Sequence, residues 1–219
     1  MSKSNLNFKK TRIRSHFINY GKKNDQQDRN KKNEEERIIM TYIQMKLPIK
    51  KITSNFENKL KEEIEQNILR AKIRRATEQD LDVIMKIYNK AWLTSNEPYS
   101  PLTVDSLKIL YNDHLITILI AEVYGIDAGF VILDFEGSKK EYGVIAGLGV
   151  LPRFQRKGLG KILGMAAWNF FKQKGVKELR CEVHIDNKVS YNFIKSLGFD
   201  EFDKVVYKKE DFMLPGEIA

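Results

Sequence analysis

Residues 144–164 read VIAGLGVLPRFQRKGLGKILG, and the order of residue types in this stretch decides the fold. Val144 to Leu151 is an apolar run interrupted only by glycine, which predicts a buried strand. A loop with Pro152, Arg153, Gln155, Arg156 and Lys157 follows, and Gly158 and Gly160 open a predicted helix. Strand, basic loop and helix N-terminus together make an anion-binding device. The first amides of a helix have no intrahelical acceptor, and the macrodipole adds partial positive charge there. Glycine lets the backbone approach a ligand with no Cβ in between. The segment therefore predicts a phosphate-bearing ligand.

Downstream, the helix over 158–174 ends at Gly175, placed as a C′ glycine. Residues 178–185 read as a strand, 188–196 as a helix stopped by Gly198, and 201–208 as a last strand. Upstream, 116–123 and 129–135 are β-rich runs joined by Tyr124-Gly125-Ile126-Asp127, which predicts an antiparallel hairpin. Residues 72–75 start a short strand. Two helices over 78–92 and 104–111 flank a loop marked by Pro98 and Pro101. The order is β-α-α-β-β-β-α-β-α-β, an α/β domain with a mixed sheet over residues 73–219. Before it, Phe56, Leu60, Ile64 and Ile68 recur at helical spacing, and Ser54 with Glu57 fits a capping box. This predicts an amphipathic helix over 55–71 in a helical extension spanning 40–72. The stretch EEERIIMTYIQMKLPIKKIT (34–53) shows no decisive period.

The formal charge of +9 sits entirely in residues 1–72, which hold 18 Lys and Arg against 9 Asp and Glu; the rest of the chain balances at 20 each. Residues 1–33 alone carry 10 against 2. They belong to an arm (1–39) whose composition predicts disorder, or weak contact with nucleic acid, ribosomes or acidic membranes. Met40 and Met45 are alternative starts that would omit the arm. The lone Cys181 excludes an intramolecular disulfide and fits a reducing, cytoplasmic setting. No apolar run approaches ~18 residues, so no membrane span is expected.

Two readings compete for the glycines. GLGKILG satisfies a G-x-G-x-x-x-G pattern, with Glu182 near the next strand, as in dinucleotide-binding units. Against this, the six residues Pro152 to Lys157 separate strand from glycine, where such units make a tight turn. The second reading rests on Val150-Leu151-Pro152 followed by Gln155-x-x-Gly158-x-Gly160, which resembles the acyl-CoA signature of the GNAT N-acetyltransferases. The resemblance extends over residues 73 to about 208 and includes NKVSYNFIKSLGF (187–199), similar to that family's N-x-x-A-x-x-x-Y-x-x-x-G-F. It implies a GNAT fold, acetyl-CoA as cosubstrate and an amine as acceptor. It also implies that the amides from Gln155 through Gly158, Leu159 and Gly160 hold the CoA pyrophosphate, with Arg153, Arg156, Lys157 and Lys161 adding charge. The opening strand would splay from its neighbour, with pantetheine bonded to backbone near Leu148 and Val150. Gly147 and Gly149 would allow that close approach or mark a bulge, and Asn187 joins the cofactor-binding set.

Acyl transfer to an amine needs an uncharged nucleophile, a polarised thioester and a route for thiolate release. A backbone N–H near Val150 suits the oxyanion. On strand 178–185, Leu179, Cys181, Val183 and Ile185 alternate with Arg180, Glu182 and His184, which gives one apolar and one polar face. Glu182, five residues before Asn187, resembles the base of ribosomal-protein N-terminal acetyltransferases; His184 shares its face. Cys181 falls on the apolar face and reads as core. The family's tyrosine acid is replaced by Ile194. Tyr191, one turn earlier, takes its place in the expectation, with Tyr207 and Tyr142 as further candidates. Neutralising a lysine with a pKa of about 10.4 at pH 7 costs roughly 4.6 kcal/mol, against about 1.1 for an α-amine near 7.8, which favours a low-pKa amine such as a peptide α-amine or a small amine. Glu97, Tyr99 and Trp92 lie in or beside the loop where acceptors bind in the family. The rival expectation is a noncatalytic acyl-CoA sensor whose basic arm docks on nucleic acid or ribosome.

Overall fold

The computed structural model describes residues 40–66, 69–95 and 102–207. The expectations for the basic arm, for Glu97, Tyr99 and the prolines near them, and for residues beyond 207 lie outside these. Among the described residues, seven strands form one mixed sheet in the order β2-β3-β4-β5-β6-β1-β7. They are β1 (Met40–Pro48), β2 (Ala71–Arg75), β3 (Thr117–Val123), β4 (Ile126–Glu136), β5 (Tyr142–Val150), β6 (Glu178–His184) and β7 (Asp200–Tyr207). The helices are α1 (Ser54–Glu65), α2 (Leu81–Trp92), α3 (Val104–Tyr111), α4 (Leu159–Gln173) and α5 (Lys188–Ser196). Residues 71–207 thus run β-α-α-β-β-β-α-β-α-β.

The expected helical extension begins with a strand. In β1, Ile43, Met45 and Leu47 are buried alternately with partly exposed neighbours, while Met40 is out of phase. Three in-phase positions between charged flanks are too few to stand out in sequence. The crossover β6-α5-β7 leaves its two strands separated by one slot, and β1 fills it, antiparallel to both. The chain segment read as an appendage is an interior strand of the sheet.

Helix α1 is shorter than the expected 55–71. Its N-cap is Thr53, whose hydroxyl accepts the Phe56 N–H at 3.2 Å, in place of Ser54. Glu57 closes no capping box here; it accepts from Trp168 Nε1 at 3.0 Å and Lys172 Nζ at 2.6 Å. Glu63 pairs with Lys161 at 2.6 Å. These contacts join the start of α1 to the end of α4 and the reverse, so the two helices lie antiparallel.

Two apolar clusters sandwich the sheet. One joins Met45, Leu133, Leu159, Leu163, Phe171 and Cys181 beneath α4, with α1 and α5 packed on it. The other joins Ile84, Ile87, Leu107, Ile120, Phe130 and Ile132 beneath α2 and α3. Phe130 and Phe171 are fully buried, and such burial contributes about 3 kcal/mol each. The second cluster reaches only as far as Ala146 of β5. On that side, the β6-β1-β7 half of the sheet presents Arg180, Glu182 and Gln44 to an open cleft. The fold thereby leaves one polar sheet face beside one apolar layer.

Candidate active site

The cleft begins where β5 and β6 part. They pair in parallel at Tyr142↔Glu178, Gly143↔Leu179 and Val144↔Arg180, and no registered pair follows. The β4–β5 ladder shifts between Ile132↔Gly147 and Leu133↔Ile145, which leaves Ala146 as the extra residue of a bulge. A bulge bends its strand, and this one lies two residues after the last β5–β6 pair, so β5 turns away from β6 there. Beyond it, Leu151 N–H donates to Ala128 O at 2.9 Å. The alternation of an antiparallel ladder then aims the N–H and C=O of Val150 and Leu148 away from β4, into the opened gap. An extended amide-bearing chain finds strand-like partners along this edge, which is what pantetheine requires.

Gly147 and Gly149 differ in their neighbours. A Cβ at Gly149 would lie 2.6 Å from Phe130, whereas one at Gly147 would make an ordinary 3.7 Å contact with Ile132. Gly149 therefore makes room for the Phe130 ring, and the bulge sits at Ala146, not at either glycine.

After β5, Pro152–Phe154 form one 3-10 turn whose Phe154 is buried and anchors the loop to the core. Gln155 Nε2 donates to Val150 O and to Thr94 Oγ1, both at 3.0 Å, so its side chain staples the loop to β5 and to the end of α2. Arg156 and Gly158 have φ of 56° and 83°. Left-handed backbone at these positions curls the loop so that its amides converge on the start of α4. Gly158 is the residue type that adopts it without strain. Ile162 N–H donates to Gly158 O at 3.2 Å, opening the helix. The amides of Leu159, Gly160 and Lys161 precede it and have no intrahelical acceptor. Arg153, Arg156 and Lys157 are exposed and, among the described residues, hold no carboxylate. The loop fits a pyrophosphate.

Two glycines of GLGKILG carry structural roles that neither glycine pattern displays. A Cβ on Gly160 would lie 3.1 Å from Phe193, and one on Gly164 3.1 Å from Leu197, so these glycines seat α5 against α4. Lys161 is engaged by Glu63. Leu159 is a core anchor, 1% exposed. Asn187 is the N-cap of α5, its Oδ1 accepting the Ser190 N–H at 3.0 Å.

Glu182 lies across from Gln44 in the β1–β6 register. Gln44 Nε2 donates to Glu182 Oε1 at 2.8 Å, and the Tyr207 hydroxyl donates to Oε2 at 3.2 Å. Together with Asp134, Glu136, Ile145, Ala146, Arg180 and Phe202, Gln44 and Glu182 line an open cleft. Phe202 reaches it because the β1–β7 register skips this residue between Gln44↔Asp203 and Met45↔Glu201. Arg180 stacks on Tyr142 at 3.6 Å, bonds Glu178 at 2.7 Å and stands 3.9 Å from buried Glu136. His184, also buried, accepts the Asp186 N–H on Nδ1 at 3.3 Å and contacts Tyr42 edge-on.

Tyr191 is not brought to Glu182. It packs with Phe193 and Ile194 on the cluster that holds Cys181 and Val183, the opposite side of the sheet, and its hydroxyl donates to Glu201. That carboxylate partner raises the tyrosine's pKa, which makes it a weaker acid. Ile194, at the expected tyrosine position, is partly buried in the same cluster. Gln44 had no sequence signal because its strand had none. Tyr207 stood among the sequence candidates, and only its contact with Glu182 distinguishes it.

The chain belongs to the Acetyltransferase (GNAT) family, whose model matches residues 81–199. Its domain is an N-acetyltransferase that draws the acetyl group from acetyl-CoA. An uncharacterised N-acetyltransferase of Methanocaldococcus jannaschii is 29% identical over 61% of this chain and 62% of its own length. The aminoglycoside N(6')-acetyltransferase type 1 of Salmonella typhimurium is 26% identical over 63% of this chain and 97% of its own. Among solved structures, aminoglycoside 6'-N-acetyltransferase AAC(6')-IG of Acinetobacter haemolyticus superposes with a TM-score of 0.52 at 25% identity, covering 62% of this chain and 95% of that one. PaiA N-acetyltransferase of Thermoplasma acidophilum, solved with coenzyme A, shares the fold, with a TM-score of 0.53 at 22% identity over 64% and 99%.

Proposed function

We propose that this enzyme acetylates the primary amine of a small cationic molecule, with Glu182 as general base. The observation that supports this is the placement of Glu182 in the cleft that opens where β5 and β6 part. Among the described residues, Asp134, Glu136 and Glu182 line it against the single cation Arg180, a balance that attracts ammonium groups and disfavours anionic acceptors. The names of the Salmonella relative and the Acinetobacter structure point the same way, toward aminoglycosides, over peptide α-amines.

The residues divide the work. The loop from Gln155 to Gly160 takes the pyrophosphate on backbone amides, and Arg156 and Lys157 add charge. Leu148 and Val150 hold the pantetheine by backbone bonds, and the Val150 N–H polarises the thioester oxygen. Glu182 accepts the proton of the ammonium, directly or through one water, so that the amine nitrogen attacks as its lone pair is released. The new C–N bond forms as the C–S bond breaks. The departing thiol has a pKa near ~8.5, so its thiolate leaves without an obligatory side-chain acid. This accommodates Ile194 at the tyrosine position. The lone buried Cys181 suits a reducing compartment, and the cytoplasm is the proposed setting.

The experiment is thiol release from acetyl-CoA with kanamycin, spermidine, a peptide bearing an α-amine and single amino acids as acceptors. Turnover with kanamycin or spermidine well above hydrolysis is expected. Turnover confined to the peptide would overturn the cationic small-molecule assignment.

A further inference from the structure

We propose that Gln44, on the N-terminal strand β1, is a positioning residue for catalysis that aims the Glu182 carboxylate into the cleft in concert with Tyr207. The inference rests on Glu182 being the base, as proposed above. Glu182 has three rotatable bonds and stands at the edge of an open cleft, where an unrestrained side chain would sample several orientations. Each of its oxygens instead meets a donor: Gln44 Nε2 at 2.8 Å on Oε1, and the Tyr207 hydroxyl at 3.2 Å on Oε2. The donors come from β1, next to the base, and from β7, beyond it. A carboxylate has about four lone-pair sites, so it can accept from Gln44, Tyr207 and an ammonium together.

The chemistry of the partner matters as much as its distance. A primary amide orients the carboxylate without placing a charge beside it. A lysine at this position would favour the ionised form and weaken it as a base, and a glutamate would do the reverse. Gln44 lines the same cleft as Glu182, and the skipped residue Phe202 enters that cleft beside it. Segment 40–48 therefore supplies a functional side chain, although the family match begins only at residue 81.

The test uses the full chain in the thiol-release assay with acetyl-CoA and kanamycin, acceptor-free hydrolysis serving as a second readout. Gln44→Leu should lower kcat ten- to a hundredfold and leave the KM for acetyl-CoA within twofold, with a melting temperature close to the parent's. The acidic limb of the kcat/KM profile should move to lower pH in Gln44→Lys and to higher pH in Gln44→Glu, displacements that a merely structural glutamine would not cause. If Glu182→Gln abolishes turnover while all three Gln44 variants keep the parent's kcat and profile, the positioning role is wrong and the base assignment stands. If Glu182→Gln retains full turnover, or the parent has none, the base assignment fails and this inference fails with it.

Discussion

The Tyr207 hydroxyl donates to Glu182 Oε2 at 3.2 Å, although β1 lies between the strands that carry them. The contact is possible because Tyr207 is long and its strand is displaced along β1, opposite Met40 and not Gln44. Tyr207 is 4% exposed, so its hydroxyl serves the carboxylate and not the solvent. With Glu182 in its proposed role, loss of that hydroxyl should loosen the base but remove no catalytic group. Tyr207→Phe should lower kcat about three- to tenfold. Tyr191→Phe, whose hydroxyl is committed to Glu201 across the sheet, should leave kcat within twofold. Steady-state kinetics on the two variants checks both.

Glu182→Gln keeps the shape of the side chain and removes its ability to accept a proton. General bases contribute about 10²–10⁴-fold, so kcat should fall in that range, while binding of CoA measured by calorimetry should be unchanged. A comparable loss of CoA binding would mean that Glu182 supports the cosubstrate site instead.

The place of β1 in the sheet sets the consequence of shortening the chain. Deletion of residues 1–39 removes no described contact and should retain activity. Deletion of residues 1–44 takes away half of β1, including the Gln44 that bonds Glu182 and the Met40 and Tyr42 that pack against Tyr207. The shorter protein should melt at least several degrees lower and lose most turnover. Thermal melts and thiol release on the two deletions separate these outcomes.

The sequence displayed the proposed acetyl-CoA site more clearly than the proposed acceptor site, for a physical reason. Backbone would do the binding at the first, and backbone conformation is set locally by Pro152, Gly158 and the apolar run before them. The residue proposed as base was also legible as a candidate, because strand alternation puts Glu182 on the polar face of β6. What holds Glu182 comes from residues 44 and 207, far apart in sequence and joined only by strand insertion. No local pattern encodes that pairing, and β1 itself hides between a basic arm and Lys50-Lys51. The missing Cβ atoms of Gly149 and Gly160 also make room for Phe130 and Phe193, a packing role that no local pattern displays.

That packing is testable separately from binding. At Gly143 an added Cβ would sit 2.5 Å from the buried Phe171 ring, an overlap that demands movement of a core side chain. Gly143→Ala should destabilise by about 1–3 kcal/mol. At Gly160 the contact is 3.1 Å to the partly exposed Phe193, so Gly160→Ala should cost less in urea denaturation. A large rise in the KM for acetyl-CoA in Gly160→Ala with little loss of stability would show that the position serves the ligand more than the helix contact.

One contribution to acid sensitivity should come from the Arg74–Asp80 corner at the start of α2. Arg74 bonds both Asp80 oxygens at 2.8 Å, and the Thr77 N–H and hydroxyl add bonds at 2.7 and 2.8 Å, locking the turn that enters α2. The Arg74 guanidinium, followed by the Thr77 donors, holds the Asp80 carboxyl well below the usual carboxylate range against the opposing effect of burial. A carboxyl depressed in the folded state stabilises the fold above its unfolded pKa of about 3.9, and that contribution fades as pH falls further toward the folded value. Asp80→Asn should therefore cost about 1–2 kcal/mol at pH 7, trimmed because Arg74 is 37% exposed and partly screened. The gap between parent and variant should persist at pH 5 and narrow below pH ~4. Urea melts across that range measure it, and a gap that stays constant into acid would assign the stabilisation to the shape of the cap and not to its charge.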